Sequence, residues 1–421
     1  MSFLLHQKLN KTTTIVSETI LDKQNTEKIK KPRLLFIDMA RSFAILLMIE
    51  GHFTGAALGK QYKSDDYFLY KIWHNLHGLT SPLFFTVTGL IFVYLLMGTK
   101  TEEPFFQNSR VKKGFKRVSE LLFWGYLIQL NLFDIFKSIR NGIEFHLEWL
   151  YAFHVLQSIG IGISLLLLIY GLRQLLKKGE IYWYYLIAGL IVMVLYSQLK
   201  AYVQADELRI AGVANGKPHY LPSGFPEIIQ NMFYGRYSDF NILRYVGYVL
   251  LGGMVGAIIR KYETKTKNWW FGLTFLIVGI VLNGLQPILY ELDDINEWLG
   301  LCQHSNLVLT TTSFGRFGQV VSIVGVLMLV DANFKVNAPL FLKLGQNTLP
   351  IYVIHVIILY GGIFGFGLKP DVINNNLNPY SAFSVSIMAM LFFTIMVKYI
   401  EPLEEFYDKC LGYVFFWRKK A

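Results

Sequence analysis

Cysteine is nearly missing from this chain. With only Cys302 and Cys410 among 421 residues, neither a disulfide framework nor a cysteine-based metal site is available. Charge is also scarce, at 16% of residues against 53% hydrophobic ones. That balance, with a mean hydropathy of +0.38, excludes a soluble multidomain protein and leaves an all-α, polytopic transmembrane helical bundle. Internal repeats and low-complexity tracts are absent, and with them the paired halves common among secondary transporters. Residues 1–30 lack the apolar core of a signal peptide, so 1–32 reads as a disordered cytoplasmic tail.

What is present is a series of apolar runs. We expect about ten spans, near 34–58, 77–98, 118–137, 149–172, 181–203, 241–260, 269–290, 313–331, 341–367 and 381–401. They form one transmembrane domain over 33–405, followed by a basic cytoplasmic tail at 406–421. Lysine and arginine collect before span one, between two and three, after four, after six and at the end. With ten spans these clusters all fall on one side, which the positive-inside rule makes cytoplasmic, along with both termini. Cys302 then lies in an outer loop and Cys410 at an inner end, so they cannot bridge. The net charge of +11 is accounted for by topology and does not imply a nucleic-acid partner.

The first span carries the most information, because Asp38, Arg41, Glu50 and His52 interrupt it. Ionisable groups are costly in hydrocarbon and mark a polar pathway. Eleven residues at 100° each come to roughly 1100°, about 20° past whole turns, so Arg41 and His52 share a face. Asp38 lies at i,i+3 from Arg41 and can pair with its guanidinium. Counted at about 1.5 Å per residue, Arg41 lies about 10 Å from the cytoplasmic edge and His52 about 27 Å in.

Other polar groups flank the spans. His74 and His77 precede Thr80-Ser81-Pro82-Leu83-Phe84-Phe85-Thr86-Val87-Thr88-Gly89, where Thr and Gly permit close helix packing. Two histidines without a third ligand make a poor zinc site, and an interfacial polar pair is the alternative. Trp149 and His154 open span four, with Gln157 one turn on; core hydrogen bonding and a substrate channel both fit. Arg316 in span eight either contacts substrate or snorkels to the outer edge. His355 falls inside span nine, packed in the core or lining the site. Trp73, Trp149, Tyr220 and Trp298 with Asp293 and Asp294 make either a sugar platform or an interfacial aromatic belt.

Asp38-x-x-Arg41 followed by ten residues and His52 resembles the opening of the polytopic acyltransferases that O-acylate bacterial polysaccharides. Arg33 to Arg41, Pro82 to Gly89, Val155 to Gly160 and Gly345 to His355 are similar, in that order, to bacterial relatives of heparan-α-glucosaminide N-acetyltransferase. Ser42 departs from the glycine these families carry after the arginine.

The resemblance implies a bacterial inner-membrane enzyme that moves an acyl group, acetyl above all, from cytoplasmic acyl-CoA to a hydroxyl or amine of an extracytoplasmic glycan or glycolipid. No permanently bound cofactor is expected. His52 matches the polysaccharide branch as general base, with an acyl-histidine as the variant; the heparan-type branch uses a histidine in the first outer loop, where His74 and His77 stand. Arg41, held by Asp38, would contact the donor, with Lys113 and Arg117 of a basic connecting loop at its nucleotide end. His77 or Arg316 would steady the oxyanion, and His74, Trp149, Arg316 and His355 would face substrate. A secondary transporter and a non-catalytic scaffold are the competing classes.

Overall fold

The computed structural model describes residues 34–98, 103–142, 152–209, 242–288 and 307–400, with a few isolated positions besides. Trp149, Tyr220, Asp293, Asp294, Trp298, both cysteines and both expected tails lie outside the described residues. Every named element among the described residues is helical.

Helix α1 (Leu35–Ala57) runs unbroken through the charged first span. Helices α2 (Phe68–His77) and α3 (Thr80–Leu96) are joined so closely that they make one span of 29 residues. Next come α4 (Ser109–Leu127), α5 (Leu132–Asn141), α6 (Val155–Leu176) and α7 (Ile181–Arg209). After α8 (Ile242–Lys261), α9 (Trp269–Gly284) and α10 (Leu307–Asn333) stand α11 (Pro339–Gln346) and α12 (Thr348–Tyr360), bent by 79° between them, and then α13 (Pro379–Lys398).

Six of these stretches are long and apolar enough to cross a membrane, or seven if the bent pair is one span, against the ten expected. The ionisable residues of α1 and the basic ones of α4 dilute their apolar character. The region expected as span 118–137 is divided. Asn131 stops the chain after α4 and caps α5, its Oδ1 accepting from Asp134 N at 3.0 Å. The basic segment expected as a loop is helical. Asn108 caps α4 by accepting from Arg110 N at 2.8 Å, and lysine and arginine then propagate the helix readily.

Small residues set the packing. A methyl on Gly89 of α3 would collide with the Val249 carbonyl of α8, and one on Gly252 or Gly256 would meet the Thr86 or Leu90 carbonyl. The two backbones therefore approach as only glycine allows. Ala40 and Ala44 of α1 share a core with Leu83 and Val87 of α3 and Val320 of α10. Ser42 is fully buried and joins α1 to α11: its hydroxyl lies 2.5 Å from the Phe341 carbonyl and accepts from Gly345 N at 2.9 Å. The departure at Ser42 is thus a helix-to-helix hydrogen-bonding point that glycine has no atom to make.

At its other end α1 meets the segment between α12 and α13. Asn375 N donates to Ala56 O at 3.0 Å and Leu377 N to Ala57 O at 2.9 Å. Lys63 Nζ binds Gly55 O at 2.8 Å and Asn375 Oδ1 at 2.6 Å. Burial and the nearby Lys369 and Lys60 hold the Lys63 pKa below its usual range.

Candidate active site

α1 presents Arg41 and His52, about 16 Å apart along its axis, to different cavities. Arg41 lines a cavity of about 330 Å³ with Arg117, Thr88, Gln346 and Thr348. Asp38 stands 3.9 Å from the Arg41 guanidinium and accepts from Gln346 Nε2 at 3.2 Å, so the expected Asp–Arg pair is loose and Asp38 also anchors α11.

His52 lines a larger cavity of about 570 Å³ with Gln129, Asn131, His154, Tyr352, His355, Tyr360 and Lys369. Its Nδ1 lies 2.7 Å from the Tyr360 hydroxyl. The His355 ring is 5.3 Å from that of His52, and Tyr352 meets His355 edge-on at 5.0 Å. Tyr360 ends α12, where Gly361 takes φ +79°, a left-handed turn that suits glycine. Lys369 sets its ammonium 5.1 Å from the Tyr360 ring centroid.

His77 approaches from α2, its ring 6.1 Å from His52 and edge-on to it. Trp73 stacks on His77 at 5.3 Å and 2°, and Glu50 accepts from Trp73 Nε1 and Thr54 Oγ1, both at 2.9 Å. Glu50 therefore reaches His77 through an indole. Gly51 leaves room for the His77 ring against α1, where a methyl would overlap it. His52 and His77 share a second chamber of about 320 Å³ with Thr80, Arg244, Tyr245 and Arg316.

The tertiary structure thus brings together His52, His77, His355 and Arg316, and, separately, Arg41 and Arg117. His74 is exposed, stacks on Tyr70 at 5.6 Å and lines none of these cavities. Lys113 is exposed on α4 and apart from the Arg41 cavity. Trp149 lies outside the described residues. Sequence reasoning missed Tyr352, Tyr360, Lys369 and Arg244. Gly361 ends α12, and nothing in the spacing announced that Tyr360 meets His52 across 308 positions. Among the described residues no cluster of three His, Cys, Asp or Glu side chains is placed to hold a metal ion.

Compared with known proteins, residues 34–398 match a family model described as an acyltransferase domain. No curated protein matches the chain.

Proposed function

The chain belongs to the acyltransferase-domain family, and from that premise we propose a multi-pass membrane enzyme that transfers an acyl group, acetyl above all, from cytoplasmic acyl-CoA to a hydroxyl or amine of an extracytoplasmic glycan or glycolipid. In this proposal α1, α4 and α7 also cross, beside the six apolar helices and the bent pair, which would make ten crossings. The basic clusters then lie on the cytoplasmic side of a bacterial inner membrane, with both termini.

The observation that carries this reading is the His52 to Tyr360 contact at 2.7 Å on the wall of the larger cavity. If Nδ1 donates to the phenol oxygen, Nε2 holds a free lone pair and acts as general base. It takes the acceptor's proton as the acceptor oxygen or nitrogen attacks the thioester carbonyl. The tetrahedral oxyanion collapses, the carbon–sulfur bond breaks, and the imidazolium returns the proton to the CoA thiolate. Tyr360, accepting from Nδ1, keeps its own hydroxyl proton to donate to the oxyanion, and His77 is the second candidate donor. Arg41 and Arg117 fit the donor's anionic end, since they line one cavity with no carboxylate among its described lining residues, while their partners Asp38 and Glu120 stand off at 3.9 and 3.5 Å. Base and donor cations then stand at two depths of the bundle, and the pantetheine arm would span the interval.

Single-turnover transfer from acetyl-CoA by purified protein tests the assignment. His52→Ala should lose most turnover, His77→Ala less, and His355→Ala should chiefly lower stability. Near-normal turnover in His52→Ala with loss in His77→Ala would move the base to the first outer loop.

A further inference from the structure

Next to the histidines, two arginines converge on a chamber that the base does not require. Arg244, near the start of α8, and Arg316 of α10 line it with His52, His77, Thr80 and Tyr245. No carboxylate stands among its described lining residues. Thr80 is 5% exposed, and its Oγ1 has no hydrogen-bond partner. The Arg244 guanidinium is held 5.8 Å from the ring centroids of both Tyr196 and Tyr245, and Arg316 donates to Asn75 O at 2.9 Å and to Gln319 Oε1 at 3.1 Å. Both cations are therefore positioned by the fold before any ligand arrives.

A second cavity of about 490 Å³ adjoins this chamber through Arg316 and Thr312. Four carboxamides line it, Asn75, Asn283, Gln286 and Gln319, with Ser322. Gln286 packs where Gly315 has no side chain, and Asn283 Oδ1 is buried without a partner. Arg316 lies fifteen positions before Asp331, which pairs with Lys267 at 2.8 Å. Asp331 also accepts from Phe36 N at the start of α1 at 3.4 Å, so at about 1.5 Å per residue Arg316 lies about 22 Å along α10 from the α1 end that carries Arg41.

Guanidinium pairs recognise carboxylate and phosphate oxygens, and carboxamides match the mixed donors and acceptors of sugar hydroxyls. Resting on the acyltransfer reading above, we infer that the acceptor is anionic: Arg244 and Arg316 receive its carboxylate or phosphate group beside His52, and the carboxamide cavity receives its uncharged hydroxylated part.

Thermal unfolding of the full chain in detergent tests this with glucuronate, glucose 6-phosphate and glucose as probes, and with acetyl-CoA run separately. The two acidic probes should raise Tm and glucose should not; a response to only one of them identifies carboxylate or phosphate as the group bound. Arg316→Gln and Arg244→Gln should each weaken acidic-probe binding at least tenfold while leaving the acetyl-CoA shift intact. Should Arg244→Gln, which loses its tyrosine contacts, fail to fold, Arg316→Gln alone decides. Equal response to glucose, no response to either acid, or unchanged acid binding in Arg316→Gln overturns the inference. A shift with acetyl-CoA but none with the acids would leave the acyltransfer reading standing, whereas acid binding without any acetyl-CoA response would sink that reading and keep the anion site.

Discussion

A proton on His52 Nδ1 would point at the Tyr360 hydroxyl 2.7 Å away and would leave Nε2 with the lone pair a base needs. From that tautomer, His52→Ala should lower single-turnover transfer by about 10²–10⁴-fold with acetyl-CoA binding retained. Tyr360→Phe keeps the ring and removes the hydroxyl, so it separates support of the imidazole from packing. If the hydroxyl donates to the oxyanion, the loss should reach about 10²–10³-fold in kcat, with the KM for acetyl-CoA unchanged; a loss confined to KM would remove Tyr360 from the reaction. Arg41→Ala should weaken acetyl-CoA binding, measured by calorimetry on folded protein, and Asp38→Asn should weaken it less, because Asp38 stands at 3.9 Å and also holds Gln346. Unchanged donor affinity in Arg41→Ala would return that arginine to a structural role.

Between elements, the decisive contacts are short and made by small residues. Ser42 ties α1 to α11 just below the 79° bend, so Ser42→Ala leaves a buried backbone donor without its side-chain partner and should cost about 1–3 kcal/mol. Denaturation in mixed micelles would show it, and a neutral result would mean that the bend is held by α12 packing alone. Six of the expected spans, or seven with the bent pair, were legible in the sequence because apolar length is a property of consecutive residues. Where α4 stops was not: Asn131 looks like any polar residue in an apolar stretch until its side chain caps α5.

At the scale of the whole molecule, cytoplasmic termini require the α1-to-α2 connection to lie outside and the α6-to-α7 connection inside. Cysteine introduced at Asp65 should label with an impermeant reagent in intact cells, and one at Lys178 only after lysis. The reverse pattern would invert the topology and place His52 on the cytoplasmic side. Both sites are exposed, so protection at either reports the membrane and not the fold.

The sequence alone determined the class of protein, the helical period that puts Arg41 and His52 on one face of α1, and the list of ionisable groups an apolar chain must accommodate. Those are local quantities, set by composition and by the geometry of a single helix. Only the tertiary structure decided which of those groups meet. His52 finds Tyr360 and His355 because the loop after α12 docks on the end of α1 through Leu377 and Asn375. Arg244 joins Arg316 because α8 and α10 meet directly, the Tyr248 hydroxyl donating to Ser313 O at 3.2 Å. His74 is left outside because α2 turns it away from the cavity that its neighbour His77 enters. Spacing along one helix fixes direction, but partners supplied by other helices depend on how the backbones pack, and that packing is set jointly by the whole bundle.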